Sequence, residues 1–324
     1  ISRLPWNSLQ YRGFASCKHS HLLPLTTQYT AQMFSEVRQA ILPLALRRVR
    51  DRKDLERSSL LVESLGRYWQ DRRPLELLIV VPKRDVSIVR AGIPHPANIR
   101  ITVRPESDFF MPLSSFYFMP GWFRQQVIKL YVPALLGYGG YLTLDSDVIC
   151  VDDFDARTFV RDGRALSRWE PKNGHGWWRN VAEIVGTPYD DAGHGLSVTP
   201  NILHGDLAAQ ALCHVANGAA DATAPLWLWL TRRIGSVAWT EYSLYTSVAE
   251  LKGNLLNYHQ HWDTCYGGDV HLFSERSCIW EADDFLRLAG LPLGSDPGGK
   301  FIVVQSHAHI PVERVRNYSL RFAG

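Results

Sequence analysis

The stretch Tyr141-Leu142-Thr143-Leu144-Asp145-Ser146-Asp147-Val148-Ile149-Cys150-Val151 constrains the fold of this chain more than any other. Gly139-Gly140 breaks whatever precedes it, and Tyr141, Leu142 and Leu144 then form an apolar, β-prone segment. The segment ends in Asp145 and Asp147 and resumes as a second apolar run. This reads as a buried strand that delivers two carboxylates, which share a face if the strand stays regular. Burying an unpaired carboxylate costs roughly several kcal/mol even after relaxation. A solvated loop avoids that cost. A divalent cation with oxygen ligands offsets it, so Mn²⁺ or Mg²⁺ is the expected cofactor.

Three neighbouring features carry a family likeness: the run Trp122 to Leu136, the break Gly137-Tyr138-Gly139-Gly140, and the stretch from Tyr141 to Asp152-Asp153-Phe154. Together they resemble the central block of GT-A-type nucleotide-sugar glycosyltransferases. The likeness is greatest to the retaining group of glycogenin-like enzymes and lipopolysaccharide galactosyltransferases, and it covers residues 121 to 154. It implies one Rossmann-like α/β domain with a mostly parallel central sheet flanked by helices. It also implies metal-dependent transfer of a sugar, with retention, from a nucleoside-diphosphate sugar to a hydroxyl acceptor. UDP is the expected nucleotide; the acceptor is a glycan, a lipid-linked sugar or a small molecule.

The resemblance also assigns roles. Asp145, Ser146 and Asp147 would bind donor and metal. Lys129 stands where those enzymes carry a basic residue, usually Arg, that reaches the donor sugar or diphosphate; Lys offers a point charge rather than a fork. The segment Asp191 to Asn201 resembles the one facing the transferred sugar, which brings in His194. Glu241 follows Thr240, a candidate N-cap. It occupies the place of an acid that contacts acceptor or sugar, as general base or as electrostatic stabiliser. A C-terminal histidine is often the third metal ligand in those enzymes, and His307 and His309 are the candidates; the spacing puts both on one face if extended. The family's H-x-x-G-x-x-K-P-W tail is absent, which leaves Arg314 and Arg316 as alternative partners for phosphate.

Periodicity and breakers give the remaining order. Residues 1–20 read as a surface arm and 21–324 as a single domain, with 21–155 binding the nucleotide sugar and 156–324 the acceptor. His21 to Thr27 reads as a first strand. Gln32 to Arg50 has near-helical apolar spacing, ended or kinked by Pro43. A helix over Leu60–Gln70 and strands over Leu75–Val81 and Ile99–Val103 follow. Then come a helix over Trp122–Leu136, a strand over Ala165–Trp169, helices over Gly205–Ala216 and Trp227–Ile234, and a last strand at Phe301–Gln305. In such sheets ligands sit beyond the carboxyl ends of the strands. That places Thr26, Thr27, Gln28, Lys83, Arg84, Glu106 and Asp108 near a nucleotide. Trp177 lies in a glycine-containing loop from Glu170 to Trp178, and tryptophan faces stack on sugar rings, so it is an acceptor candidate.

Composition narrows the partners. A net charge of +3 on 324 residues suits an anionic small molecule and lacks the footprint of nucleic-acid binding. Five scattered cysteines without C-x-x-C suggest reduced thiols, with a single disulfide left open. No apolar stretch is long enough to cross a bilayer. The expected location is the cytoplasm or a membrane periphery, or the Golgi lumen if an anchor preceding Ile1 has been removed. A nucleotidyl- or phospho-sugar transferase would show a glycine-rich loop after the first strand, and Leu22 to Thr27 has no glycine. A carbohydrate-binding module would not need the carboxylate pair.

Overall fold

The computed structural model describes residues 34–46, 53–196, 199–217, 223–232, 239–261, 278–290 and 299–322. The chain begins with β1 (Gln39–Pro43), α1 (Lys53–Tyr68), β2 (Leu75–Val81), α2 (Val86–Gly92) and β3 (Ile99–Pro105). Next come α3 (Gly121–Leu136), β4 (Gly140–Thr143) and β5 (Val148–Cys150). A middle region follows: β6 (Val160–Arg161), β7 (Arg164–Ser167), β8 (Trp169–Pro171), α4 (Gly176–Val185), β9 (His194–Leu196), β10 (Asn201–His204), α5 (Gly205–Ala216) and α6 (Thr223–Arg232). The last elements are α7 (Glu241–Leu251), α8 (Leu255–Tyr258), β11 (His259–His261), β12 (Cys278–Ile279), α9 (Ala282–Ala289), β13 (Phe301–Val304) and α10 (Val312–Ser319).

The central sheet has the order β10-β4-β1-β2-β3. β1 pairs in parallel with β2 and β4, β2 pairs in parallel with β3, and only β10 runs antiparallel, against β4. A parallel sheet is covered on both faces, so its strands are continuously apolar. β1 obeys this: Ala40, Ile41 and Leu42 are fully buried.

That corrects the helix expected over Gln32–Arg50. A surface helix buries one stripe, not five consecutive positions, and Pro43 has no N–H for a helical bond. The central strand is therefore β1, and the strand expected at His21–Thr27 lies outside the described residues. α1 starts earlier than expected, at Lys53, with Asp54 and Glu56 favourably placed in its first turn. The elements expected at Leu75–Val81, Trp122–Leu136, Gly205–Ala216 and Phe301–Gln305 are present with small shifts at their ends. Gly205 joins β10 to α5 where a Cβ would stand 2.1 Å from the Tyr138 carbonyl oxygen. Only glycine permits that approach, and it holds α5 against the end of α3.

The C-terminal stretch returns to the first half of the chain. β13 pairs antiparallel with β5 and parallel with β12. A second apolar cluster, including Leu60 of α1, Ile149, Ile302, Phe285 and Tyr318, fills the space behind it. Beneath the central sheet, the buried His259 ring lies between Ser167 Oγ (2.7 Å to Nδ1) and Tyr245 Oη (2.8 Å to Nε2). Burial, reinforced by His204, lowers its pKa to about 3. Cys213 is disulfide-bonded while Cys150 and Cys278 are free, so the single disulfide that the sequence left open is present. Among the described residues no helix is long and apolar enough to cross a membrane.

Candidate active site

Lys129 is the centre of the site. It points from α3 into the core and is 1 % exposed. Its ammonium donates to Asp145 Oδ2, Thr199 Oγ1 and Glu241 Oε1, each at 2.8 Å. A buried ammonium has three protons to place, and here all three have acceptors. Burial opposes its charge, but Asp145 and Glu241 outweigh that and hold its pKa above the ordinary lysine value. Glu241 is buried too; desolvation raises its pKa, opposed mainly by Lys129.

Local structure explains how these side chains converge. Thr240 caps α7 as the sequence suggests, accepting the Ser243 N–H through Oγ1 at 3.0 Å in a reciprocal capping box. That cap sets Glu241 against α3, where the Glu241 N–H donates to Gln126 Oε1 at 3.0 Å. The Tyr242 hydroxyl bridges Thr143 Oγ1 (2.7 Å) and Thr199 Oγ1 (2.8 Å). The Tyr141 hydroxyl donates to the Lys129 carbonyl at 2.9 Å, fastening β4 to α3.

The two aspartates do not extend a strand. β4 ends at Thr143 and β5 starts at Val148, and the turn between them is closed by Val148 N–H to Asp145 O at 3.2 Å. In the turn the two carboxylates have separate surroundings, instead of sharing one strand face as expected. Asp145 faces Lys129. Asp147 lines a small cavity with Ser146, Arg57, Val304 and Val312. Burial first, and the Asp145 charge second, raise the pKa of Asp147 to about 7, against the pull of Arg57 and Lys129. No other described residue donates a hydrogen bond to its carboxylate. A half-buried, electrostatically unfavourable carboxylate beside a second acid is a donor set that fits a hard divalent cation. Asp147 and the second oxygen of Asp145 are the residues that would hold one.

The other expected residues fall in separate places. His307 and His309 are exposed in the turn after β13, with the His307 ring 6.1 Å from that of Trp280. Val303 lies opposite Val148, and Val304 donates to the Asp147 carbonyl at 2.9 Å, so this turn emerges at the aspartate end of β5. Among the described residues, however, no three His, Cys, Asp or Glu side chains are grouped as a metal cluster. Lys83 is exposed just beyond β2. Beyond β3, Asp108 accepts from Arg104 at 2.8 Å, and the buried Glu106 accepts from Arg124 at 3.3 Å. Thr26, Thr27 and Gln28 lie outside the described residues.

Trp177 donates to Glu170 Oε1 at 3.3 Å and stacks on His175 with ring centroids 4.4 Å apart. His194 is exposed on β9, opposite Pro171 of β8. This arm is anchored by Lys172, which donates to both oxygens of Glu250 at 2.9 and 2.7 Å. Glu250 and Glu241 lie at opposite ends of α7, about 13 Å apart along its axis. The arm thus meets α7 at the end away from the Lys129 centre.

Sequence reasoning missed Thr143, Thr199, Tyr242 and Arg57. Thr143 and Tyr242 adjoin singled-out residues, and an inward-facing polar residue two before Asp145 was a usable signal. Thr199 lies in the singled-out segment Asp191 to Asn201 but was not picked from it, and nothing local distinguishes Arg57, whose partners are distant in the chain.

No curated protein matches the chain. A family model does match, over residues 35–322, and the chain belongs to that family, DUF6492, a family of unknown function.

Proposed function

We propose that the protein is a metal-dependent glycosyltransferase that moves a sugar from a nucleoside-diphosphate sugar, UDP-linked by preference, to a hydroxyl acceptor. One observation carries the reading: Lys129 joins Asp145 to Glu241 at the carboxyl end of β4, beside the poorly stabilised Asp147. The carboxyl end of a parallel strand is where open α/β sheets bind ligands.

In this reading Asp147 and Asp145 are the residues that would hold Mn²⁺ or Mg²⁺. When bound, the cation neutralises charge on the departing diphosphate. The chain's own residues do the rest. Lys129 fixes the orientation of Asp145 and adds positive potential where negative charge develops. Glu241 keeps that ammonium protonated and placed. Thr199, Tyr242 and Thr143 hold the group through direct side-chain hydrogen bonds, so little reorganisation accompanies the reaction.

Glu241 is 2 % exposed and already engaged by Lys129. A general base must reach the proton it removes. Its position therefore supports an electrostatic role over that of a base, and with it retention at the anomeric carbon. The exposed arm bearing Trp177 and His194 supplies the acceptor side.

Thermal-shift measurements with UDP, GDP and CDP, each with and without Mn²⁺, test the reading. A ligand that binds only the folded state raises its melting temperature. A rise with UDP that requires Mn²⁺ is expected. Absence of a shift with every nucleotide and metal combination would remove the basis for a transferase.

A further inference from the structure

Arg57 is an unusual buried charge. It lies on α1, is 8 % exposed, and among the described residues has no carboxylate in ion-pair contact. Its guanidinium instead donates to two carbonyls, Val304 O at 2.8 Å and Ile310 O at 3.3 Å. Those carbonyls bracket the turn Gln305–His309. A buried guanidinium is costly without full hydrogen bonding, so a residue that only ties two carbonyls needs a reason to be charged.

Two further observations supply one. Arg57 lines the cavity that Ser146 and Asp147 share with Val304 and Val312, and its charge acts on Asp147. The bracketed turn is also held in an unfavourable shape. His309 has a φ of +55°, a left-handed conformation that costs energy for a residue with a Cβ. Such backbone persists only where its surroundings over-determine it. Here they do: Ala308 N–H donates to Gln305 O at 3.0 Å, Val304 N–H donates to Asp147 O at 2.9 Å, and Arg57 pins both ends.

We infer that Arg57 is a positioning residue that sets the Gln305–Ile310 turn against the Asp145–Asp147 turn, so that the C-terminal element forms one wall of the donor site. The inference rests on the proposed donor site but concerns a residue that the likeness to known transferases does not single out. Arg57 does two things at once. Its planar fork spans two carbonyls, which a lysine ammonium cannot match in geometry. Its charge also acts on Asp147, with which it lines the cavity, and only partly offsets the burial of that carboxylate.

Hydrogen–deuterium exchange on the full chain tests this without reference to activity. In Arg57→Met, exchange at the amides of Val304, Ala308 and Val148 is expected to rise together by tenfold or more, while the amides of β2 stay as in the wild type. A rise confined to Val304 and Ala308 overturns the coupling between the two turns, and no rise overturns the clamp. If Arg57→Met does not fold, Arg57→Lys carries the same comparison, with a smaller joint rise expected.

Titration with Mn²⁺ plus UDP supplies the functional arm. Arg57→Met is expected to bind at least tenfold more weakly than the wild type; equal affinity overturns the role in the donor site. A wild-type protein that binds no Mn²⁺ and UDP defeats the transferase reading instead, and the exchange data then judge the clamp alone.

Discussion

Lys129 Nζ lies 2.8 Å from Glu241 Oε1, although 112 positions separate the two residues in the chain. The contact joins the helix before the aspartate turn to the first turn of α7. It also decides how the site responds to substitution, because neither charge has water to replace its partner.

Lys129→Met leaves Glu241 buried without a counter-charge and Asp145 without its donor. Breaking a buried pair in this way costs about 3–5 kcal/mol. Adding Glu241→Gln removes one of the orphaned charges, so the double variant should be more stable than Lys129→Met alone. Urea denaturation of the two single variants and the double one checks this, and simple additivity would show that the pair is not coupled.

Tyr242→Phe deletes the hydroxyl between Thr143 and Thr199. Thr199 keeps its bond from Lys129, so the loss should be that of an ordinary internal hydrogen bond, about 0.5–1.5 kcal/mol. Chemical denaturation reads it directly. If transferase activity is found, kcat should fall more than the donor KM rises, since the hydroxyl orients the group rather than touching the donor.

His259 makes one contribution to the pH dependence of stability, and Asp147, whose pKa is raised, makes one of opposite sign. The folded pKa of His259 is lowered by burial to about 3 from the ordinary histidine value of 6.5, so the folded protein keeps it neutral while the unfolded chain protonates it. Stability from this group is complete above pH 6.5 and is lost as the pH falls toward 3. The slope in that window is about 1.4 kcal/mol per pH unit for one proton. Melting temperature measured from pH 7 to pH 4 should fall more steeply in the wild type than in His259→Gln, which has no imidazole to protonate.

The arm bearing Trp177 gives a separable prediction. Trp177→Ala should weaken use of a sugar acceptor, seen as a raised acceptor KM, and leave Mn²⁺-dependent UDP binding unchanged. A loss of UDP binding in this variant would place the arm on the donor side instead.

The residues also show how much of this fold was legible beforehand. Leu75 to Val81 was readable as a strand because it is an apolar run, interrupted only by Glu76, between two prolines. Gln32 to Arg50 misled because its apolar residues happen to fit helical spacing, while the deciding fact, the place of β1 in the sheet between β2 and β4, depends on strands distant in the chain. Lys129, Asp145 and Glu241 were each singled out separately, and the structure brings the three together. Arg57 was not readable, because its importance comes from a contact 247 positions away, and Thr199 was readable only through its segment, because its lysine partner lies 70 positions away. Sequence patterns report burial along one element well and convergence between elements poorly.

The central claim is that the Asp145–Asp147 turn takes a cation and a nucleoside diphosphate together. Calorimetric titration of UDP into the wild type and into Asp147→Asn, with and without Mn²⁺, tests it most directly. Asp147→Asn should stay folded, because its amide relieves repulsion with Asp145 and breaks no hydrogen bond from another described residue. The account predicts UDP binding that needs Mn²⁺ in the wild type and is lost in folded Asp147→Asn. Equal Mn²⁺-dependent affinity in the two proteins would contradict it.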